Sequence, residues 1–286
     1  MVHLNLVDLE KSDIKYKISR FPDGQQSVQI EGDPIGTDVV IHSRFNSFKD
    51  LELIICATQA LKSEGYHNIA LHVPYFLGAR SDRKFAQGGV NYLKQVVCPI
   101  INAQDYAAVI VLDPHSDVLE ACINKFEKVT NEVIVKYALD DLGSKDDIVL
   151  VSPDAGAYKK IFDIAQTFEI DKVITATKVR DIKTGQILHT EIPTLDQHNK
   201  LRYVIVDDIC DGGRTFIELA KAIKGSRPSA EIYLVVTHGI FSAGLKSLNE
   251  YFTKIYTTNS VVDINDSEFS IKNDNELYKV KQFNVF

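Results

Sequence analysis

The stretch Tyr203–Ala220, YVIVDDICDGGRTFIELA, restricts the fold most, because it encodes a strand, a turn and a helix start in one run. Its first four residues are apolar with no polar alternation, which is typical of a strand buried on both faces of a parallel sheet. Gly212 and Gly213 allow a tight turn, and Thr215 with Glu218 three positions later forms a capping-box signal. An apolar helix face follows, made of Phe216, Leu219, Ala220 and Ile223. The stretch therefore predicts one β-α unit of a parallel α/β sheet.

Two acids follow this predicted strand. Asp207 and Asp208 come directly after Val206, at the carboxyl end, which is the edge where ligands bind in open α/β sheets. Carboxylates accept charge-assisted hydrogen bonds from vicinal hydroxyls, and a glycine turn at a helix amino terminus attracts phosphate. We therefore expect a ribose 5-phosphate group here, with its hydroxyls on the acids and its phosphate in the loop. The alternative is a solvated acidic turn before a capped helix, as in any α/β protein.

Similar apolar runs recur along the chain and alternate with helical patterns. Strands are predicted at Val39–Ile41, Ile69–Val73, Ala108–Leu112, Ile148–Ser152 and Ile232–Thr237, and a helix at Leu51–Leu61. With 286 residues the chain is long enough for two domains, and the polar segment Asp140–Asp147 predicts the linker between them. The predicted fold is α/β, with two doubly wound parallel-sheet domains at residues 1–139 and 140–286.

Composition excludes several classes of function. The net charge of -7 argues against a sequence-independent nucleic-acid binder and against a basic membrane-surface protein. The four cysteines are widely separated without zinc-site spacing, and the first residues lack the apolar core of a signal peptide. A cytoplasmic protein that contacts neither nucleic acid nor membrane is expected.

Basic residues gather beyond a second predicted strand. In the segment VPYFLGARSDRK, Arg80, Arg83 and Lys84 follow the strand that ends at Val73, where they can meet a polyphosphate. On charge pattern alone a solvated loop is favoured. Likewise His115, in DPHSD, and the pair Lys178 and Arg180, in TKVRD, are residue types that are usually structural or solvent-facing when they stand alone.

Several of these segments, in the same order, resemble the signatures of ribose-phosphate diphosphokinases, also called PRPP synthetases. VPYFLGARSDRK is similar to the family's P-Y-F-x-Y-A-R-Q-D-R, FPDGQ at Phe21–Gln25 to its F-x-D-G-E hairpin, and VSPDAG to its V-S-P-D-x-G segment. The acid pair with its glycine turn resembles the ribose-phosphate motif that this family shares with type I phosphoribosyltransferases. The likeness spans roughly Phe21 to Val261, including THGIFS, and implies two domains of type I phosphoribosyltransferase-like topology.

The resemblance also implies the reaction, in which the anomeric hydroxyl of ribose 5-phosphate attacks the β-phosphorus of Mg-ATP to give a 1-diphosphate and AMP. Lys178 and Arg180 are then the catalytic residues, opening a mobile loop, and Mg²⁺ is expected on His115 and Asp154. The implied ATP-binding residues are Phe21, Asp23, Gln25, Arg80, Asp82, Arg83 and His115. The implied ribose-phosphate-binding residues are Asp207, Asp208, Asp211, Gly212, Gly213, Arg214 and Thr215. A homo-oligomer, dimeric or larger, is implied as well.

The main departure from the family lies in the phosphate loop, where D-T-G-G-T becomes DGGRT at Asp211–Thr215. Arg214 can meet additional anionic oxygens, which favours an acceptor with a substituted 5-phosphate such as ADP-ribose, used in NAD salvage. Alternatively Arg214 pairs with a nearby carboxylate and the acceptor is ribose 5-phosphate. Two further readings stay open: a type I phosphoribosyltransferase that consumes PRPP, and a non-catalytic regulatory subunit, which the Gln25, Ser81 and Gly212 departures favour a little.

Overall fold

The computed structural model describes residues 1–32, 36–180, 187–193, 202–266, 269–270, 277 and 279–286, with backbone alone at 178–180 and 187–190. The chain divides into two compact units. The first comprises Met1–Thr130 with Val285–Phe286, and the second comprises Asn131–Asn284. The boundary between the two units therefore lies at Thr130–Asn131, just before the helix at residues 132–142. The predicted boundary, after residue 139, lies inside that helix.

The first unit is built on a parallel sheet whose strands alternate with helices. In chain order its elements are β1 (Val2–Asn5), β2 (Lys15–Arg20), β3 (Gln26–Glu31), β4 (Asp38–His42), α1 (Phe48–Ser63), β5 (Asn68–His72), α2 (Cys98–Asn102), β6 (Ala108–Leu112), α3 (Asp117–Cys122) and β7 (Phe126–Val129). The sheet has the order β1-β4-β5-β6-β7, and all its neighbouring strands are parallel. Strands β2 and β3 form a separate antiparallel hairpin.

Helix α1 shows how the sequence produces the packing of this unit. Ser47 caps it, because its hydroxyl accepts from the N–H of Asp50 and the Asp50 carboxylate accepts from the N–H of Ser47. Its apolar positions recur every three or four residues and are buried in one core with alternate residues of the strands, namely Leu51, Ile54, Ala57 and Leu61. The predicted helix at Leu51–Leu61 is confirmed, with one further turn at its start.

The second unit contains a larger parallel sheet. Its elements are α4 (Glu132–Leu142), β8 (Ile148–Ser152), α5 (Tyr158–Thr167), β9 (Val173–Thr175), β10 (Thr177–Arg180), β11 (Ile187–Glu191), β12 (Arg202–Cys210), α6 (Arg214–Ser226), β13 (Glu231–Gly239), α7 (Lys246–Asn249), β14 (Lys254–Thr258) and β15 (Val280–Phe283). The sheet order is β15-β14-β13-β12-β8-β9, all parallel, and β10 pairs antiparallel with β11.

Strand β12 lies in the interior of this sheet and is buried on both faces. Tyr203 and Ile205 pack in one core with α6, whereas Val204 and Val206 pack in another with α4 and α5. This alternation explains the unbroken apolar run in the sequence, because both faces of the strand are covered. The prediction of a parallel α/β fold is confirmed for both sheets.

Three local predictions were wrong. Strand β12 extends four residues past Val206, because its pairing with β13 continues through Asp207 and Ile209 to Cys210. Helix α6 begins at Arg214 with Gly213 at the N-cap, so Thr215 is already helical and forms no capping box. The polar segment at 140–147 is part of the second unit and not a linker, since Asp140–Leu142 complete α4, whose apolar face packs in that unit's core.

Candidate active site

Asp207 and Asp208 are the acids of the second unit's sheet that lie nearest the carboxyl end of a central strand. They occupy positions six and seven of the nine-residue strand β12, which places them among the last residues before the glycine turn. The N–H of Asp208 donates to Oδ1 of Asp207 at 2.9 Å. Asp208 is buried, with 9% of its surface exposed. Two carboxyls are therefore adjacent in sequence and held by one rigid strand.

Burial and proximity shift the protonation of this pair. Loss of solvent, together with the neighbouring charge of Asp208, raises the pKa of Asp207 to about 8, and Lys160 in the first turn of α5 partly opposes the rise. With its pKa raised in this way, the Asp207 carboxyl holds a proton over much of the neutral pH range. A ligand that brings hydroxyl donors or positive charge to this position stabilises the fully ionised form.

The turn after β12 depends on glycine. Gly213 has φ +77°, and a Cβ at this position would lie 2.9 Å from Cδ2 of Leu248 in α7. Any other residue would therefore be strained in its backbone and would collide with the core. Gly213 is the N-cap of α6, so the first N–H groups of that helix have no partner within the helix and can bind an anion.

The other polar residues of this loop are Asp211, before the glycines, and Arg214 and Thr215, at the start of α6. Asp211 accepts a hydrogen bond from the hydroxyl of Ser242, which lies in the turn after β13. Arg214 is exposed at the first position of α6, and Thr215 is half-buried at the second. The structure thus brings the acid pair, Asp207 and Asp208, and the loop expected to bind phosphate, Asp211–Thr215, to one edge of the sheet.

Asp154 lies at the next strand along the same sheet, after β8. Its Oδ1 accepts from the N–H groups of Gly156 (3.0 Å) and Ala157 (3.2 Å), which shapes the turn that leads into α5. β8 pairs with β12, so Asp154, just after β8, and the acid pair, near the end of β12, belong to neighbouring strands. The sequence suggested this residue only through the family resemblance, and it missed Lys160, whose influence on Asp207 follows from where α5 packs.

In the first unit, the candidate ATP residues after β5 and β6 are brought together. Oδ2 of Asp82 accepts from the hydroxyl of Ser116 at 2.7 Å, which joins the loop after β5 to the segment after β6. The carbonyl oxygen of Asp82 also accepts from the side-chain amide of Asn91 at 2.6 Å. Arg80 and His115 are exposed in these two loops, at the carboxyl ends of adjacent strands.

Arg83 is exposed in the same loop, and its guanidinium lies 5.6 Å from the ring centroid of Phe85. This cation–π contact keeps a positive group and an exposed aromatic ring side by side. The loop can therefore offer both charge and a flat apolar surface to a nucleotide.

The hairpin residues Phe21, Asp23 and Gln25 lie at a different place in the first unit. The turn is closed by hydrogen bonds between the backbones of Phe21 and Gln25 (2.9 Å) and from Gly24 to Phe21 (2.9 Å), and Phe21 is 52% exposed. Gln26 anchors the hairpin to α1, through the carbonyl of Lys49 and the carboxylate of Glu52. The hairpin thus packs on α1, and an exposed aromatic ring stands at its tip.

Lys178 and Arg180 lie on β10, whose backbone pairs with β11 in an antiparallel ribbon. The side chains of both residues are outside the described part of the chain, as is the whole loop at 181–186 that follows them. Their proposed catalytic role therefore stays a prediction.

Mg²⁺ binds where side chains supply suitable oxygen donors. Among the described residues, no group of three or more His, Cys, Asp or Glu side chains could hold a metal ion. Mg²⁺ usually keeps several waters and is bound through one or two carboxylates plus substrate phosphates, so a dedicated protein cage is not needed. The carboxylates of Asp154, Asp207 and Asp208 are the oxygen donors that suit it, whereas the imidazole of His115 is a less typical ligand.

Comparison with known proteins supports one interpretation of this edge. Residues 122–266 match the family model described as phosphoribosyl transferase domain. The ribose-phosphate pyrophosphokinase of Marinomonas sp. (strain MWYL1) is 30% identical over 236 residues, covering 79% of this chain and 71% of that protein. The ribose-phosphate pyrophosphokinase of Thermosipho africanus (strain TCF52B) is 27% identical over 263 residues, covering 89% and 81%.

A solved structure extends the likeness to the fold. The crystal structure of phosphoribosylpyrophosphate synthetase from Mycobacterium smegmatis superimposes with a TM-score of 0.79 at 16% identity, covering 97% of this chain and 88% of that chain. The fold is therefore of the type I phosphoribosyltransferase-like kind, as predicted. In the described part of this chain no helix has the length and apolar character needed to cross a membrane.

Proposed function

The chain belongs to the ribose-phosphate pyrophosphokinase (PRPP synthetase) family and is an enzyme of that class, and we propose that it transfers the β,γ-diphosphate of ATP to the anomeric hydroxyl of ribose 5-phosphate. The anomeric oxygen attacks the β-phosphorus, the bond from that phosphorus to the oxygen shared with the α-phosphorus breaks, and AMP leaves. The observation that carries the proposal is the pair of half-buried Asp207 and buried Asp208, followed closely by a glycine turn at a helix amino terminus.

The acceptor side of this reaction rests on three features of β12 and α6. Asp207 and Asp208 accept hydrogen bonds from the vicinal ribose hydroxyls, and these donors stabilise the ionised form of Asp207, whose pKa is raised in the free protein. The loop at Asp211–Gly213 and the first amides of α6 hold the 5-phosphate. The ribose is thereby held with its anomeric hydroxyl in a fixed orientation, which lowers the entropic barrier to attack.

The donor side of the reaction needs positive charge close to the triphosphate. Arg80 and Arg83 bind the triphosphate, with His115 beside them, and Phe21 at the hairpin tip stacks on the nucleobase, helped by Asp23 and Gln25. Lys178 and Arg180 neutralise the charge that develops as the diphosphate moves. Mg²⁺, when bound near Asp154, supplies further neutralisation of the triphosphate oxygens.

A second acceptor is favoured by one residue. Arg214 begins α6 and is exposed there, so its guanidinium can reach anionic oxygens beyond a terminal phosphate. An acceptor whose 5-phosphate carries a further phosphate ester, such as ADP-ribose, would use this group, and the product would then serve NAD salvage. Ribose 5-phosphate remains the first choice, because the named relatives are ribose-phosphate pyrophosphokinases.

The deciding experiment is a paired assay. The protein is incubated with Mg-ATP and either ribose 5-phosphate or ADP-ribose, and AMP and the 1-diphosphate product are followed by mass spectrometry, with EDTA replacing Mg²⁺ as a control. Transfer to ribose 5-phosphate supports the main proposal, and transfer to ADP-ribose alone supports the second. Transfer to neither acceptor would instead support the hypothesis of a non-catalytic regulatory subunit.

Two substitutions test the roles proposed for Arg214 and Lys178. Arg214→Gly should change the preference between the two acceptors if Arg214 meets a substituted phosphate, and leave it unchanged otherwise. Lys178→Ala should abolish turnover while ATP binding persists, and retained turnover would remove Lys178 from the catalytic set. Gel filtration with light scattering tests the expected homo-oligomer. We also propose a cytoplasmic location, in which the four cysteines stay reduced.

A further inference from the structure

The end of β13 is tied to the loop proposed to bind phosphate. We call residues Gly239–Ser242 the brace turn and residues Asp211–Gly213 the phosphate loop. The carbonyl oxygen of Cys210, which ends β12, accepts hydrogen bonds from the N–H groups of Ile240 (2.9 Å) and Phe241 (3.1 Å). These two bonds fix the start of the phosphate loop to the brace turn.

The brace turn itself is held in an unusual conformation. Phe241 has φ +48°, a left-handed conformation that is rare for a bulky residue, and only 2% of its surface is exposed. A Cβ at Gly239 would lie 2.6 Å from Cζ of Phe241 and 2.7 Å from Oγ1 of Thr257. Such strain persists only where the surroundings over-determine the backbone, and it concentrates near functional sites. The turn therefore presents its next residue, Ser242, in one defined position.

Ser242 contacts the phosphate loop through its side chain. Its hydroxyl donates to Oδ1 of Asp211. A Cβ at Gly212 would lie 3.8 Å from Oγ of Ser242 and 3.9 Å from Cβ of Ala243, so the two loops are at ordinary packing distance. The orientation of the Asp211 carboxylate is thus set by a residue of the neighbouring strand's turn and not by the loop alone.

A carboxylate at the first position of a phosphate-binding loop creates an electrostatic problem. A phosphate dianion and a carboxylate repel each other at short range, and the cost is larger where water is excluded. The amides of the loop and of α6 attract phosphate only if the carboxylate does not turn towards the same space. Some contact has to keep Asp211 in a single rotamer.

We propose that Ser242 is a positioning residue for the acceptor, because its hydroxyl holds the Asp211 carboxylate so that amides and not the acid face the incoming phosphate. The inference rests on the proposed function only in taking a phosphorylated acceptor at this loop. Ser242 does not touch the reacting atoms, so its removal acts on acceptor binding rather than on the chemical step.

The test compares Ser242→Ala, Ser242→Thr and the matched control Ser226→Ala, which removes an exposed hydroxyl at the other end of α6. Loss of a hydrogen bond to a charged group should raise the KM for ribose 5-phosphate roughly tenfold. The values of kcat and of KM for ATP should change less than about twofold, and Ser242→Thr should restore most of the lost affinity. A purely structural role would instead lower kcat and Tm together, and threonine would not rescue it.

A double-mutant cycle decides whether the effect passes through Asp211. In the Ser242→Ala background, Asp211→Asn removes the negative charge that repels the phosphate, so acceptor affinity should recover most of the loss. Unchanged acceptor KM in Ser242→Ala, or no recovery on adding Asp211→Asn, overturns the proposal.

Calorimetric titration of the same variants with ribose 5-phosphate and with inorganic phosphate, in the absence of ATP, separates this inference from the proposed function. If the wild-type protein transfers diphosphate to neither acceptor, the proposed function fails, while the phosphate affinities of the variants still decide the role of Ser242. If the wild-type protein binds neither phosphate compound, the proposal for Ser242 fails as well.

Discussion

The amino and carboxyl edges of the second unit's sheet treat their acids in opposite ways. At the amino edge, Asp141 is hydrogen-bonded by Lys254 (2.9 Å), by the hydroxyl of Tyr256 (2.7 Å) and by Lys281. At the carboxyl edge, Asp207 has another acid as its immediate neighbour, and its N–H contact comes from that acid. At the amino edge, the charge of Asp141 is neutralised by two lysines of the same unit. At the carboxyl edge, two acids stand side by side.

The difference appears in the protonation of the two acids. Hydrogen bonding to Lys281 holds the pKa of Asp141 well below its usual range, and burial, which opposes this, is outweighed with the help of Lys254 and Tyr256. Burial and the charge of Asp208 raise the pKa of Asp207. Internal pairing of an acid with cations stabilises the fold, whereas two adjacent acids are a poor arrangement for stability and suit a ligand that brings donors. Under the proposed function, the amino edge therefore serves stability and the carboxyl edge serves binding.

The largest effect is expected from breaking the acid pair. Asp207→Asn keeps the shape of the side chain but removes the charge that accepts ribose hydroxyls, so kcat/KM should fall by about 100-fold or more. Steady-state kinetics with both acceptors measures this. Asp163→Asn, which neutralises an exposed acid on α5, is the control and should leave the kinetics unchanged. A similar loss in both variants would show that net charge, not the acid pair, is responsible.

The glycine turn after β12 tests how closely the carboxyl edge is packed. Gly213→Ala places a methyl group against Leu248 at a left-handed backbone position, so the free energy of unfolding should fall by roughly 2–4 kcal/mol. Urea unfolding measures it. Gly225→Ala in the same helix meets open space and should be neutral or stabilising by about 0.5–1 kcal/mol. Equal losses at both positions would contradict the close packing of the phosphate loop.

A substitution at the amino edge should lower the stability of the protein and leave its activity unchanged. Asp141→Asn breaks the pairing with Lys254 and Lys281, so the free energy of unfolding should fall by about 1–2 kcal/mol while kcat stays near the wild-type value. Asp140→Asn removes a more exposed pairing with Lys136 on α4 and should cost under about 1 kcal/mol. A strong loss of activity in Asp141→Asn would end the division of roles between the edges.

The two acids should also depend on pH in opposite senses. Asp141, whose folded pKa is lowered, contributes stability above about pH 4 that is lost as the pH falls further. Asp207, whose folded pKa is raised to about 8, binds a proton in the folded state that the unfolded chain releases, so stability falls as pH rises from about 4 to 8. Urea unfolding at pH 5, 7 and 9 should show the advantage of Asp207→Asn over wild type growing with pH.

The smallest effect concerns the cation that moderates the acid pair. Lys160 lowers the pKa of Asp207, so Lys160→Met should shift the acidic limb of the pH–activity profile upward by about half a unit. Lys159→Met, at the adjacent exposed position of α5, is the matched control. Identical profiles for both variants would remove Lys160 from the electrostatics of the site.

Much of the fold could be predicted because apolar runs report burial directly. The strand Ala108–Leu112 was predicted with its observed bounds. The end of β12 could not be, because its last residues include two acids, and only pairing with β13 keeps them in the strand. The start of α6 was misplaced by two residues, because the N-cap is Gly213 and not Thr215, and the close contact that restricts position 213 to glycine is with Leu248, 35 positions away.

The candidate site shows the same limit. The acid pair and the glycine turn are adjacent in sequence, so their chemistry could be predicted before the fold was known. Lys160 and Ser242 act on that stretch from α5 and from the turn after β13, and no local pattern connects them to it. Asp141 was assigned to a linker because its partners, Lys254 and Lys281, lie more than a hundred residues away.

The contact between Gly239 and the ring of Phe241 restricts the order in which this chain can change over generations. A side chain at position 239 meets the ring, so such a substitution is open only to a descendant that has already replaced Phe241 with something smaller. Replacing Phe241 first empties a buried position and releases the turn that carries Ser242. The two positions are therefore epistatic in one direction: a side chain at position 239 requires earlier changes at Phe241 and Thr257, whereas a change at Phe241 requires none at Gly239.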